Sequence, residues 1–265
     1  MSPRIRLHVD QPFASGQALA LPEAQAHYLV SVMRQGEGAE IRVFNGRDGE
    51  WAARIARAGR RAVDLVLVGQ TAPLRRPPDL WLMFAPIKKA RTDFIVEKAA
   101  ELGAARILPV QTDFTNAERI RQDRLQAHAV EAAEQCGGTF VPEVAELRPL
   151  ARWLAGWDPA RRILWCDEAL AGAATVLARE GTVGACGGAG SGTAGQGGET
   201  GHAAEGPGPW AILIGPEGGF SEGERRRLSA LPFVRSASLG PRILRADTAA
   251  VAALTLWQAA LGDWR

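Results

Sequence analysis

Two stretches near the C-terminus bring together residues whose types and spacing could do chemistry. An apolar strand, Ala211–Ile214, runs into Gly215-Pro216-Glu217-Gly218-Gly219, and a second, Val234–Leu239, runs into Gly240-Pro241-Arg242-Ile243-Leu244-Arg245. Glycine at the end of a buried strand allows a sharp turn and close approach by another molecule, and the proline after it stiffens the loop. Two such loops at strand ends suggest a ligand cradle at the carboxyl edge of a sheet. A phosphate loop would need Gly-Lys-Ser/Thr, and a dinucleotide fold would need G-x-G-x-x-G; neither is present, and Glu217 would repel phosphates. Exposed backbone groups beside a carboxylate fit an adenosine cofactor that carries positive charge, such as S-adenosylmethionine. On spacing alone, two structural Gly-Pro turns remain the alternative. No Ser-His-Asp set with a nucleophile elbow, no H-E-x-x-H and no paired carboxylates occur, which favours positioning and electrostatics over a covalent nucleophile.

The elements that must position these loops follow from periodicity and caps. Ser221 and Glu224 form the S-x-x-E signature of a helix start, and Asp247 and Thr248 read as caps of an Ala- and Leu-rich helix reaching Leu261. Upstream, strands at Leu80–Pro86, Ala105–Val110, Phe140–Val144 and Arg162–Cys166 alternate with helices. One helix spans Thr92–Leu102, with Phe94, Ile95, Ala99 and Leu102 inward. A second carries the stripe Leu125, His128, Ala129, Ala132, Ala133 and Cys136, and a third covers Leu150–Trp157. This order implies a largely parallel α/β sheet covered by helices. Residues 1–72 read instead as short strands (Ile5–Val9, Ala39–Phe44, Glu50–Ile55, Ala62–Val68) with one helix from Leu21-Pro22 to Gly36, the pattern of a small barrel. The proline-rich Thr71–Pro78 marks the boundary, giving domains 1–72 and 73–265. Residues 181–208 hold twelve of the chain's 30 glycines and almost no large apolar side chain, so a flexible Gly-rich insert is expected there.

Composition bounds the class. Of 265 residues, 46% are hydrophobic and 23% charged, as in soluble globular proteins, and no apolar run is long enough to span a bilayer. Met1–Arg6 lacks the apolar core of a signal peptide, so a cytoplasmic location is expected. Cys136, Cys166 and Cys186 are unevenly spaced, which suggests neither a disulfide framework nor a zinc site, and no other metal motif is present. Arg75, Arg76, Lys88, Lys89 and Arg91 cluster in sequence around a single acid, Asp79, and such a patch suits phosphate contacts.

These residues resemble one family. Leu213-Ile214-Gly215-Pro216-Glu217-Gly218-Gly219-Phe220, and Leu239-Gly240-Pro241-Arg242-Ile243-Leu244-Arg245 with Thr248-Ala249, are similar to the two loop motifs of SPOUT methyltransferases of the RsmE type. Those enzymes methylate N3 of a uridine in small-subunit (16S) ribosomal RNA. The likeness continues through Glu97–Gly103, Glu131–Gly137, Val141-Pro142-Glu143, Leu21-Pro22 and His27–Arg34, and covers the chain except for 181–208.

The resemblance implies a PUA-like N-terminal barrel for RNA docking and a C-terminal sheet with a deep trefoil knot. It also implies a homodimer, and S-adenosylmethionine as cofactor with S-adenosylhomocysteine as product. Carried onto this chain, Leu164, Cys166, Ile214, Gly215, Glu217, Gly218, Leu239, Gly240, Ile243, Leu244 and Thr248 would hold the cofactor, and Arg245 and Glu217 would act in catalysis. Arg4, His27, Arg34, Lys88, Lys89 and Arg91 would contact ribosomal RNA or the small subunit. Two departures remove basic residues common in the family: Gly138 stands where an arginine is usual, and Thr112-Asp113-Phe114-Thr115 replaces Thr-Glu-Arg-Ser. A non-catalytic RNA-binding or ribosome-assembly factor on the same fold, and a SPOUT enzyme with another RNA target, are the competing readings.

Overall fold

The computed structural model describes residues 5–117, 119–172 and 208–264. Arg4, Cys186 and nearly all of the Gly-rich insert lie outside the described residues. The rest falls into two compact units, one within Met1–Arg76 and Ala127–Val141, the other within Pro77–Gln126 and Pro142–Arg265.

The first unit is a five-stranded mixed sheet in the order β1 (Arg6–His8), β3 (Glu40–Phe44), β4 (Glu50–Ala58), β5 (Val63–Ala72), β2 (Ala18–Leu21). β1 runs parallel to β3, and the other pairs are antiparallel. Alternation along β3 and β5 turns Ile41, Val43, Val63, Leu65 and Leu67 into the core, where Ala26 and Leu29 also lie. Among the described residues the edges β1 and β2 do not pair with each other, so the expected barrel takes the form of an open mixed sheet. The helix expected up to Gly36 is shorter and partly underwound. α1 (Glu23–His27) gives way to a π-helical turn, Tyr28–Val32, in which the Met33 N–H reaches the Tyr28 carbonyl at 2.9 Å. Arg34 ends it with φ +53°, the left-handed conformation usually taken by glycine. The end of α3 (Gln122–Cys136) is fastened to this unit by Arg6, which donates to the carbonyls of Ala133 (2.8 Å), Glu134 (2.9 Å) and Gly138 (2.9 Å). Cys136, read as part of the core stripe, is exposed because the last turn of α3 points it outward.

The second unit is a seven-stranded sheet whose main path runs β12 (Val234–Ala237), β10 (Arg162–Cys166), β11 (Trp210–Ile214), β6 (Leu80–Phe84), β7 (Arg106–Gln111), β8 (Glu143–Val144); β9 (Arg148–Pro149) also pairs with β7. All of these pairs are parallel. Every residue of β11 is buried, as a strand covered on both faces requires. α2 (Lys89–Glu101), α4 (Leu150–Ala155), α5 (Glu222–Ser229) and α6 (Ala246–Ala260) complete the unit. On α2 the buried stripe is Thr92, Ile95, Val96 and Ala99; Phe94 falls off it and is 39% exposed rather than inward, with the Lys98 ammonium 5.5 Å over its ring. The Ser221–Glu224 capping box forms in both directions. α6 instead starts from Arg245 without a side-chain cap, and Asp247 and Thr248 sit inside its first turn. No helix among the described residues is long and apolar enough to cross a membrane.

Candidate active site

Strand order decides what the loops can build. β10 lies between β12 and β11, so the loops that follow these three strands leave the carboxyl edge of the sheet side by side. They enclose a cavity of about 320 Å³. Ile214, Gly215, Pro216 and Glu217 line it from the loop after β11; Leu239, Gly240 and Arg242 to Arg245 from the loop after β12; and Cys166, Asp167, Glu168 and Ala171 from the loop after β10. Ala246 and Ala249, in the first turn of α6, close the wall.

The cradle is stiff. The Gly172 N–H donates to the Gly240 carbonyl at 2.9 Å and the Asp167 N–H to the Ala237 carbonyl at 3.2 Å, tying the loop after β10 to the end of β12 and the loop that follows it. The Gly240 N–H donates to the Ser238 hydroxyl at 3.2 Å, and Ser238 is itself buried. Gly240 has φ +111°, a conformation side-chain-bearing residues avoid, and a Cβ there would meet nothing within 4 Å. A Cβ on Gly215 would instead lie 2.6 Å from Cε2 of Phe220. Phe220 is buried behind the loop, edge-on to Trp165 at 5.6 Å, so glycine at 215 is required by packing.

Charge on the cavity wall is arranged in pairs. Asp167 and Glu168 both bind Arg225, and Asp167 also accepts the Ala169 N–H at 3.0 Å. Glu217 is paired with Arg91, whose Nε lies 3.4 Å from Asp247. Arg242 and Arg245 line the cavity, are exposed, and make no ion pair with another described residue. Burial pushes the Cys166 thiol up to about 12, so at neutral pH it is an uncharged wall group and not a nucleophile. Among the described residues no group of three or more His, Cys, Asp or Glu is placed to hold a metal ion.

The residues singled out from sequence are therefore distributed as follows. Cys166, Ile214, Gly215, Glu217, Leu239, Gly240, Ile243, Leu244 and Arg245 share the cavity. Leu164 is buried inside β10 and Thr248 is exposed on the first turn of α6; neither lines it. Gly218 is turned towards Phe114, whose Cβ would lie 3.2 Å from an added Gly218 Cβ. Lys88 and Lys89 are exposed at the start of α2, whereas Arg91 on the same turn is committed to Glu217 and Asp247 rather than open to a phosphate. His27 and Arg34 are exposed in the N-terminal unit. Of the basic run around Asp79, Asp79 itself binds Arg161 at 2.8 Å, and Arg76 lies over the Phe140 ring.

Sequence reasoning missed Asp167, Glu168, Arg225, Ala246 and Ala249. The acids directly follow a buried strand and the alanines open a helix next to a flagged loop, so both carried a usable signal; nothing local marks Arg225. The departure at Asp113-Phe114 has a structural counterpart. Asp113 accepts the Ser221 hydroxyl proton at 2.5 Å, and its N–H donates to Glu224 at 3.0 Å, fastening the loop after β7 to the loop after β11.

Comparison with known proteins agrees with this geometry. A family model described as an RNA methyltransferase domain matches residues 75–258, and one described as an RNA methyltransferase PUA domain matches residues 21–68. Ribosomal RNA small subunit methyltransferase E of Rickettsia conorii is 25% identical over 94% of this chain and 93% of its own, and that of Bacillus subtilis is 26% identical over 92% and 91%. A Legionella pneumophila structure described as a methyltransferase with bound SAM is 28% identical, covers 98% of each chain and superposes with a TM-score of 0.79. The Neisseria gonorrhoeae methyltransferase E structure bound to S-adenosyl methionine, at 23% identity and TM-score 0.80 over 98% of this chain and 99% of its own, shares the fold. With a strand-end cradle built from both loop motifs and a domain model spanning most of the sequence, the chain belongs to the RNA methyltransferase family.

Proposed function

We propose that this protein transfers a methyl group from S-adenosylmethionine to N3 of a uridine in small-subunit (16S) ribosomal RNA. The observation that carries this reading is the cavity closed by the loops after β10, β11 and β12, with two arginines on its wall that make no ion pair with another described residue. The chemistry of the cavity fits the cofactor. Ile214, Leu239, Ile243, Leu244 and Ala249 offer an apolar slot for an adenine, and Gly215 and Gly240 let the ligand approach the backbone. The carboxylates of Asp167, Glu168 and Glu217, each held by an arginine, present oxygens that can accept hydrogen bonds from the amine and ribose hydroxyls of such a cofactor. The relatives named methyltransferase E and the two structures with bound cofactor support the same reading.

When bound, the cofactor supplies an electrophilic methyl group. Uridine N3 must lose its proton to accept it, and negative charge then develops on the uracil carbonyls. The Arg245 guanidinium and the uncapped N-terminus of α6, where Ala246 and Asp247 have N–H groups without helical partners, are placed to stabilise that charge. Arg91 holds the Glu217 carboxylate against the cavity, which suits Glu217 to orienting the cofactor. In the same reading, residues 1–72 dock RNA with His27 and Arg34 exposed for it, residues 73–265 carry the trefoil knot and the reaction, and the enzyme works in the cytoplasm. It acts as a homodimer, a reading supported by Ile243, which stands 75% exposed beside the cavity.

The test is a thermal shift with S-adenosylmethionine and S-adenosylhomocysteine, followed by mapping of modified uridines in ribosomal RNA from a deletion strain. Stabilisation by both ligands and loss of one N3-methyluridine support the proposal. Absence of a shift favours a non-catalytic RNA binder, and a modification missing elsewhere identifies another RNA target.

A further inference from the structure

The methyltransferase unit contains a second cavity, of about 400 Å³, at the carboxyl ends of β6 and β7. We infer that it is a subsite for a nucleotide of the substrate RNA that flanks the methylated one. This rests on the function proposed above and adds a place where the RNA is gripped.

Four cationic side chains surround the cavity, Lys89, Arg119, Arg121 and Arg124, against one lining carboxylate, Asp93. Asp93 is buried and paired with Arg124, and Arg121 is paired with Asp123. Lys89 and Arg119 are exposed and make no ion pair with another described residue, so among the described residues the rim carries more cations than carboxylates. The rim also joins two helix starts. Lys89 and Thr92 belong to the first turn of α2, while Arg121 immediately precedes α3 and Arg124 lies in its first turn. Both helices point their positive dipole ends at the opening, which favours a phosphate. Ile87, Ile120 and Leu125 supply an apolar lining. An apolar interior under a cationic rim matches a base with its phosphate better than a free inorganic anion.

Position relative to the reaction supports the assignment. β6 pairs directly with β11, and Phe84, at the end of β6, is in register with Ile214 on the cofactor wall. α2 faces both sites: Lys89 lines the second cavity, and Arg91, two residues on, holds Glu217 at the first. The cavities lie over strands two to three places apart, roughly 10–15 Å at about 4.8 Å per strand, a span that a few nucleotides cover.

The experiment compares wild type with Lys89→Ala/Arg119→Ala, both exposed positions, in methylation of small ribosomal subunits. Binding of single-stranded RNA is measured alongside as a function of salt. A phosphate contact to a single strand contributes about −0.7 to the log–log salt slope, so losing two near 0.15 M salt should weaken RNA binding roughly ten- to twenty-fold. The expected result is a rise in KM for RNA of that order, kcat within about twofold, and a salt slope shallower by about 1.4. Cofactor affinity should stay unchanged. Wild-type KM and salt slope in a variant with unaltered Tm would overturn the inference. So would stabilisation of wild type by uridine monophosphate or inorganic phosphate without any change in RNA KM in the variant, which would mark a free-anion site. If the double variant does not fold, Arg119→Gln alone is read the same way, with half the effect. Should wild type itself methylate no ribosomal RNA, the function proposed above fails, and the salt dependence of RNA binding still tests this cavity.

Discussion

Gly215→Ala is the sharpest test of how the cradle is built. Gly215 lacks a positive φ, so alanine costs nothing in backbone strain there; the whole effect should come from packing. The added Cβ would sit 2.6 Å from Cε2 of Phe220 and 3.1 Å from Cδ2 and Cζ. Since carbon atoms pack at about 3.5–4.0 Å, the ring must retreat by about 1 Å. Phe220 is only 4% exposed and sits edge-on to Trp165, so it has no empty space to retreat into. Overpacking of this kind costs about 1–3 kcal/mol, and disturbing the aromatic pair about 0.5–1.5 kcal/mol more. A total of about 2–4 kcal/mol should lower Tm of the methyltransferase unit by roughly 5–15 °C at about 2–4 °C per kcal/mol. Scanning calorimetry with and without saturating cofactor is the assay, and Gly240→Ala is the contrast. At Gly240 the new methyl meets no protein atom, but φ is +111°, so strain of about 1–3 kcal/mol is expected. The methyl would also narrow the cavity, so the cofactor-induced rise in Tm should shrink more than in Gly215→Ala. A Gly215→Ala protein that melts within about 1 °C of wild type would refute the packing argument.

Other outcomes follow from the same geometry. Arg245→Ala should lower kcat about 10²- to 10³-fold, the usual loss for one charge-stabilising donor, while leaving cofactor affinity intact; an unchanged kcat would remove Arg245 from the reaction. In a Cys186→Ser background, a thiol reagent at pH 8 should modify Cys136 in the native protein and Cys166 only after unfolding, because burial holds the Cys166 thiol up to about 12. Rapid native modification of Cys166 would contradict the closed cavity wall. In the N-terminal unit, burial lowers the His8 pKa below 6.5, so the unfolded state binds more protons between the two values. That contribution to stability is complete above pH 6.5 and declines as pH falls through it towards the folded value. Glu134 is raised from 4.5 by burial and acts in the opposite sense, its contribution present below pH 4.5 and lost as pH rises through the folded value. Urea midpoints from pH 5 to 8 should therefore slope less in His8→Gln than in wild type, and identical slopes would exclude the histidine.

Some features were legible locally because they depend on near neighbours in the chain. The Ser221–Glu224 capping box closes over three residues, and it formed as read. The runs Ile163–Cys166 in β10 and Trp210–Ile214 in β11 are continuously apolar, and every residue in them is buried. Other features failed for an equally physical reason. Asp247 and Thr248 have the chemistry of caps, yet α6 starts at Arg245, because the loop that lines the cavity sets where the helix can begin. Phe94 and Cys136 are apolar residues on helices, but a helix buries only the stripe that its neighbours cover.

By itself, the sequence determined that two Gly-Pro loops end buried strands, that neither can be a phosphate loop, and that the family motifs surround them. These are properties of residue type and short spacing. Only the tertiary structure decided that β10 runs between β12 and β11, so that a third loop with Asp167 and Glu168 joins the other two around one cavity. It also decided that Arg91 pairs with Glu217 while Arg245 makes no ion pair with another described residue, since ion pairing depends on which strands are neighbours and not on distance along the chain.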